Sequence, residues 1–555
     1  MRIVGHNLCK LPRPAAVRLL AAIAAFGAIQ LWGIPAAFAQ GAGACARFLP
    51  GSAITPPPDL FSSSGVLKLN LSYQTALDPN GNTLFCYVLP DGQQSPTLHV
   101  KPGDRLQITL TNDTPNSTSS TAMQMQMSAA SGSTCGAATM NDSSTNIHYH
   151  GTNTPPTCHQ DEVIFTMINS GQSFTYDLPF PADEPAGLYW YHPHIHGLAE
   201  AAVQGGASGA IVVDGIENLQ PKVAGLPQQL LIVRDNQVPG APSGPSVPAW
   251  DISLNYVPIP FPNYPPAIIQ MPAKQKQFWR VLNACAGTIL DLQLLYDGKP
   301  QQLKIVALDG VPTGSQEGTR RGKIVNAKHI LVPTAGRAEF IVVGPKRKVS
   351  SAILVTRAVN TGPDGDLDPA RPIATIQTVA TVGAARAMAI PAVSGPANKQ
   401  RFEGLANAQV TANRKLIFSE FSTDPGDPNE GSVEFFITVD GQPRVLFDPN
   451  NPPAIITKQG SVEDWVVENR SLESHEFHIH QIHFLLLERN GKPVPKKEQQ
   501  FLDTVDVPFW TRGQPFPNVK VRMDFRGPDI GDFVYHCHIL EHEDGGMMAT
   551  IRVNP

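Results

Sequence analysis

Three stretches of this chain carry one pattern: a turn, a short run in which apolar residues alternate with others, and a closing asparagine. They read KPGDRLQITLTND over 101–113, MPAKQKQFWRVLNAC over 271–285 and KQGSVEDWVVENRS over 458–471. The asparagines, Asn112, Asn283 and Asn469, lie 171 and 186 residues apart. Alternation of period two belongs to a strand with one face in a core and the other outside it. Each copy also closes on an apolar strand, near 208–215, 337–345 and 547–553. The expectation is an all-β chain of three consecutive β-sandwich domains, over 45–217, 225–385 and 400–555. Residues 361–400, with TGPDGDLDPARP and many alanines, read as a linker, and 51–65 read as a loop.

Composition agrees and removes some functions. Of 555 residues, 42% are hydrophobic and 16% charged, which excludes disorder over most of the length. The 52 prolines and 46 glycines suit many short strands and turns better than long helices. A formal charge of −5 with no basic block leaves no electrostatic footprint for nucleic acid. Residues 1–39 read as a secretory signal peptide. Arg2, Lys10, Arg13 and Arg18 precede an apolar run from Leu19 to about Leu31, and Ala37-Phe38-Ala39 resembles a cleavage site. The run is short for a membrane anchor, no paired arginines precede it, and no later segment is apolar enough to span a bilayer. Loss of four cations and no acids takes the charge from −5 to −9. The mature protein is expected to be exported, periplasmic or extracellular, where disulfides are permitted.

The histidines are the most informative residues. His148/His150, His192/His194, His478/His480 and His536/His538 are four His-x-His pairs. Residues i and i+2 share a strand face, so each pair can present two imidazoles to one place. Eight neutral imidazoles exceed the needs of one metal and suit three: two ions with three each, one with two. Cys537 lies between His536 and His538 and faces the other way. His475 also leaves the face shared by His478 and His480, and His542 and Met547 follow Cys537 by five and ten residues. Two histidines, a thiolate and a weak methionine form the ligand set of a blue-copper electron-transfer site. One strand would then join two metal centres through covalent bonds, an arrangement redox-inert zinc has no use for.

The segments IHYHG, YWYHPHIHG, HEFHIH and HCHILEHEDGGMM resemble, in order, the four copper motifs of the three-domain, laccase-like multicopper oxidases. The resemblance covers the mature chain, though the middle domain matches only by strand rhythm and FWRVLNA. It implies three cupredoxin-like Greek-key β-sandwich domains and four copper ions. It also implies one-electron oxidation of a reductant coupled to four-electron reduction of dioxygen to water. By position, His475, Cys537, His542 and axial Met547 would hold the type 1 copper, and His148 and His478 the type 2 copper. One type 3 copper would take His150, His192 and His538, the other His194, His480 and His536. Asp161 and Glu543 stand where similar proteins carry acids that relay protons, with Glu162 as substitute for Asp161; such acids also orient ligand imidazoles. Glu476 and Gln481 replace the family's usual proline and glycine, which leaves local loop geometry open.

Of six cysteines beyond the signal, Cys537 is reserved for metal, so at least one other is unpaired; Cys135 with Cys158 is the preferred bridge. His196, His159 and His483 read as structural, and His99 and His329 receive no role. Met123, Met125 and Met127, with Met140 nearby, fit either a cuprous-ion dock or one apolar strand face, the latter preferred. The expected reductant is a phenol or aromatic amine; the alternative is Cu(I) or Fe(II). A copper-free scaffold or electron carrier would have broken motifs, and a nitrite reductase would lack the full set of paired histidines.

Overall fold

The computed structural model describes residues 44–115, 135–136, 139–238, 240, 246–315, 322–380, 401–422 and 433–555. The signal-peptide reading of 1–39 and Met123, Met125 and Met127 lie outside them. The chain is almost wholly β, with short α-helices only at Ala199–Gln204, Ile216–Leu219 and Leu540–Asp544 among the described residues. No helix of the described residues is long and apolar enough to cross a membrane.

Three pairs of sheets follow one another along the chain. In each pair an early strand lies parallel to the asparagine-ended strand. Val66–Leu77 pairs with Arg105–Asn112, Gln228–Gln237 with Lys276–Asn283, and Ala412–Ser422 with Val462–Asn469. In the facing sheet a late strand runs parallel to a short early one. Gly209–Val213 pairs with Thr97–Val100, Arg371–Val379 with Ala267–Pro272, and Met548–Asn554 with Ile455–Lys458. Parallel partners distant in sequence require the chain to cross between the two sheets of a sandwich before it returns. Alternation drives this folding: Arg105–Asn112 buries every second residue, and Leu106, Ile108 and Leu110 meet Leu98, Val100 and Ile211 of the facing sheet. The middle and last units have equivalent cores, around Trp279 and Trp465.

The repeated asparagines explain why the pattern recurs. All three are buried. Asn112 Nδ2 donates to the carbonyls of Ser143 and Ile168. Asn283 Nδ2 donates to those of Thr288, Val332 and Pro333, and Asn469 Nδ2 to those of Glu473, Val507 and Pro508. Each Oδ1 accepts a backbone N–H two residues on, from Thr114, Cys285 or Ser471. One side chain thus satisfies the loop carbonyls where the strand leaves its sheet, which buried backbone demands.

Two sequence expectations need correction. Arg337–Val343 is not the closing strand of its unit: it pairs with Lys276–Asn283 and Leu303–Leu308 in the first sheet. The closing strand is Arg371–Val379, inside the stretch read as a linker. Its proline obscured it, and Pro372, opposite Val355, sits at a register shift, where a strand tolerates the missing N–H. Residues 381–400 lie outside the described part. Within the expected loop 51–65, Asp59–Phe61 forms a short strand parallel to Thr97–Val100. Disulfides join Cys135 to Cys158, as preferred from sequence, and Cys45 to Cys86; Cys285 and Cys537 are free and buried.

Asn283→Ala leaves three carbonyls without their donor and is expected to destabilise the protein by roughly 2–4 kcal/mol. Denaturant unfolding checks this, and an unchanged midpoint contradicts the role given to the asparagine.

Candidate metal centre

The four His-x-His pairs reach one pocket from equivalent places in two units, at or just beyond the ends of strands. His148 and His192 exchange both backbone hydrogen bonds, N–O 2.8 and 3.1 Å, and His478 stands opposite His536 in the last unit's second sheet. All eight imidazoles are at most 2% exposed. Nε2 of His194, His480 and His536 lie 3.1–3.3 Å from one another. The rings of His150, His192 and His538 are 5.0–5.8 Å apart between centroids, and those of His148 and His478 are 6.0 Å apart. Burial, reinforced by the neighbouring rings, holds every one of these imidazoles below the ordinary histidine range, with His192 and His536 at about 3. They are therefore neutral and carry free lone pairs.

Most rings are fixed by one nitrogen and open at the other. Nδ1 of His148 meets Asp161 Oδ1 at 3.0 Å, Nδ1 of His192 the Pro193 carbonyl, Nδ1 of His478 the Asp503 carbonyl, and Nδ1 of His536 the Cys537 carbonyl, each of these three at 2.8 Å. His150 is reversed: its Nε2 meets Asp503 Oδ1 at 3.1 Å. Nε2 of His148, His192 and His478, and Nδ1 of His150, are buried with no hydrogen-bond partner among the described residues. Buried polar atoms left unpaired cost free energy unless something binds them, and a ring with one nitrogen held and the other open is how proteins present histidine to a metal. The donor set fits copper.

A second convergence lies on the other side of the Gly531–Cys537 strand. Cys537 Sγ is 3.7 Å from His475 Nδ1 and 3.6 Å from His542 Nδ1, and the two nitrogens are 3.0 Å apart. Met547 is buried in the same core cluster, whereas Met548 lines a cavity with Met140, Met167 and His196 that reaches His194. Burial pushes the Cys537 thiol up, and the N–H groups of Glu476 (3.4 Å from Sγ) and Ile539 oppose that. The outward nitrogens are held by carboxylates: His475 Nε2 meets Glu420 Oε1 at 3.0 Å and Ser471 Oγ at 2.6 Å, and His542 Nε2 meets Glu473 Oε1 at 3.1 Å. Asp366 and Glu541 add negative charge near His542. Burial, with Glu420 adding to it, pushes Glu473 up to about 9. Phe435 stacks on His542 at 4.4 Å.

The two acids read from sequence occupy different places. Glu543 is fully buried, its Oε1 3.6 Å from His194 Nδ1 and its Oε2 3.6 Å from His536 Nδ1, with no hydrogen-bond partner for either oxygen among the described residues. Burial, then Asp544, pushes its carboxyl well above the ordinary range. Asp161 is committed on all sides: Oδ1 accepts His148 Nδ1 and the Tyr149 N–H, and Oδ2 accepts Gln481 Nε2 at 2.5 Å. Gln481 has φ +58°, the left-handed conformation that the family's glycine would serve, and its side-chain amide donates a hydrogen bond to Asp161. The oxygens of Glu162 accept the N–H groups of Ile164 and Phe165 and the Thr166 hydroxyl.

Glu420, Glu473 and Asp503 gave no signal in the sequence, since each contacts its histidine through folding alone; Asp503 lies 353 residues from His150. His483 donates to the Asp309 carbonyl at 2.8 Å, His159 stacks on Phe174, and His196 packs edge-on to Phe447. His99 lies between Asp214 and Asp59, at 3.1 and 3.3 Å, and His329 meets Asp291 at 2.8 Å.

Comparison with known proteins agrees with this geometry. Two multicopper oxidase family models match residues 121–218 and 423–555. A multicopper oxidase of Staphylococcus haemolyticus is 23% identical over 495 residues, 87% of this chain and 85% of that protein. A laccase of Bacillus subtilis is 23% identical, over 73% of this chain and 79% of its own length. Among solved structures, the multicopper oxidase of Campylobacter jejuni, described as a metallo-oxidase, superposes with a TM-score of 0.64 at 22% identity, covering 92% of this chain and 96% of its own. With its all-β sandwiches, buried histidine pocket and adjoining thiolate site, the chain belongs to the multicopper oxidases, as a laccase-like, copper-dependent oxidase that uses dioxygen.

Proposed function

We propose that this oxidase takes single electrons from phenols or aromatic amines at the Cys537 site and reduces dioxygen to water at the histidine pocket. Four copper ions fit the donors. His475, Cys537 and His542 with Met547 would hold one, and His194, His480 and His536 another, each a group whose ligand atoms converge; by their positions in the motifs His148 and His478 would hold a third, and His150, His192 and His538 a fourth. Copper supplies one-electron redox chemistry there. The observation that carries the reading is the position of Cys537, whose sulfur points into the last unit's core while both covalent neighbours point into the pocket.

The remaining work belongs to the chain. A path of a few bonds runs from Cys537 Sγ through the backbone to the rings of His536 and His538. A second runs through the Glu476 N–H on the sulfur and the Glu476 carbonyl, which accepts the His538 N–H at 2.8 Å. Burial of all eight rings excludes bulk water. Reduction of dioxygen also consumes protons. The unpaired oxygens of Glu543, between His194 and His536, support that carboxyl as the donor. The contacts of Asp161 support a role in turning Nε2 of His148 toward the pocket rather than in relay. The sandwich of residues 225–385 would act chiefly as a spacer between the other two. Two disulfides and the basic-apolar start support export.

One observation favours a second reading, with Cu(I) or Fe(II) as the reductant. Glu420, which is partly exposed, touches His475, and Glu473, which is buried, touches His542; the Glu420 carboxylate is where a cation could be held beside the electron acceptor. Turnover of a phenol against turnover of Cu(I) and Fe(II) separates the readings. Under the phenol reading, Glu420→Gln and Glu473→Gln leave the phenol KM within about twofold and metal ions turn over poorly. Faster turnover of metal ions, with their KM alone raised by these substitutions, reverses the choice.

Cys537→Ser removes the thiolate and is expected to abolish intense blue colour and oxidase turnover; a blue, active variant contradicts the assignment. Glu543→Gln is expected to slow dioxygen reduction roughly 100-fold while the blue site is still reduced by substrate at the original rate. If rapid mixing finds both half-reactions unchanged, Glu543 does not supply the protons.

A further inference from the structure

We infer that Arg337, from the middle unit, is a positioning residue for the histidine pocket, acting through Asp503 on His150. The inference rests on the ligand reading above, in which the middle unit has no part in the chemistry.

Three units meet at this one ion pair. Arg337 opens the Arg337–Val343 strand and is fully buried, as is Asp503. Its Nη1 donates to Asp503 Oδ1 at 2.8 Å and its Nη2 to Asp503 Oδ2, a two-pronged pairing that only a guanidinium makes. Nε donates to the Leu188 carbonyl of the first unit at 3.2 Å, and the Arg337 N–H to Asp309 Oδ1 at 2.9 Å. Asp503 belongs to the last unit. Its Oδ1 also accepts His150 Nε2 from the first unit, and its carbonyl accepts Nδ1 of His478. One aspartate therefore sets the direction of two pocket imidazoles contributed by different units, and an arginine from the third sets the direction of the aspartate.

The glycine after His150 fits the same account. Gly151 has φ +81°, and a Cβ placed on it would overlap both the Arg337 guanidinium and the Asp503 carboxylate. The backbone beside His150 is thus pressed against the ion pair, which leaves the ring little freedom to swing. Without Arg337, Asp503 keeps His150 and the Thr504 hydroxyl (3.0 Å) but loses the fork that fixes its plane. His150 Nδ1, the nitrogen left open to the pocket, would lose its aim.

A purely structural role predicts something different, and a neighbouring pair supplies the comparison. Arg280 pairs with Glu339, also buried, and Glu339 accepts the Leu188 N–H at 2.8 Å. That pair holds the same backbone residue of the first unit and touches no pocket histidine.

The test uses the copper-loaded full-length enzyme and its Arg337→Met, Arg337→Lys and Arg280→Met variants. It measures copper per chain, blue absorbance, the near-ultraviolet and paramagnetic signals of the pocket coppers, Tm, and kcat and KM for one phenol. Arg337→Met is expected to keep the blue colour and the KM, to lose or alter the pocket signals, and to lower kcat about 10–100-fold. Arg337→Lys should recover part of the loss. Arg280→Met should lower Tm with copper content, pocket signals and kcat unchanged. The inference is overturned if Arg337→Met behaves as Arg280→Met does. If Arg337→Met does not fold, unchanged pocket signals and kcat in Arg337→Lys overturn it equally. Failure of the ligand reading itself would show separately, as missing pocket copper in the unsubstituted enzyme.

Discussion

The alternation of side chains along one strand is the constraint on which the rest depends. At the end of Gly531–Cys537 the sulfur of Cys537 turns into a core with Met547 and Tyr535, and the rings on either side turn toward histidines of the first unit. A pleated strand cannot do otherwise, because neighbouring residues leave opposite faces. Two chemically distinct centres, one with a soft sulfur and one built of neutral imidazoles, are thereby fixed a few covalent bonds apart.

The pocket itself belongs to no single unit. Half of its imidazoles come from the first sandwich and half from the last, and the buried pair of Arg337 and Asp503 brings in the second. Eight adjacent imidazoles in a dry cavity would repel one another if protonated, and their depressed basicity keeps them neutral. Copper binding to this pocket and the docking of the three units are then coupled, since any ligand of the assembled pocket stabilises the assembly.

Much of this was legible in the sequence because it is local. His-x-His spacing on strands, the cysteine between two histidines and the recurring asparagines each state their geometry within a few residues. The Cys135–Cys158 bridge was legible too, as its partners flank one motif. What escaped depends on distant contacts or on a broken rhythm. The strand Arg371–Val379 was hidden by its proline, and Arg337–Val343 took its place as the closing strand because it is the more apolar of the two. Glu420, Glu473 and Asp503 carry no local signature, and their roles exist only once the sheets are packed. Gln481 looked like a departure that disturbed its loop; it keeps the glycine-like conformation and ties down Asp161.

In this reading one strand joins a lone thiolate-bound copper to a three-copper pocket. Copper content measured together with the visible and paramagnetic spectra of the purified, fully loaded protein tests it most directly. Four coppers per chain are expected, with one giving the intense blue band and a pair silent by paramagnetic resonance. A colourless protein, or one holding a single ion per chain, contradicts it.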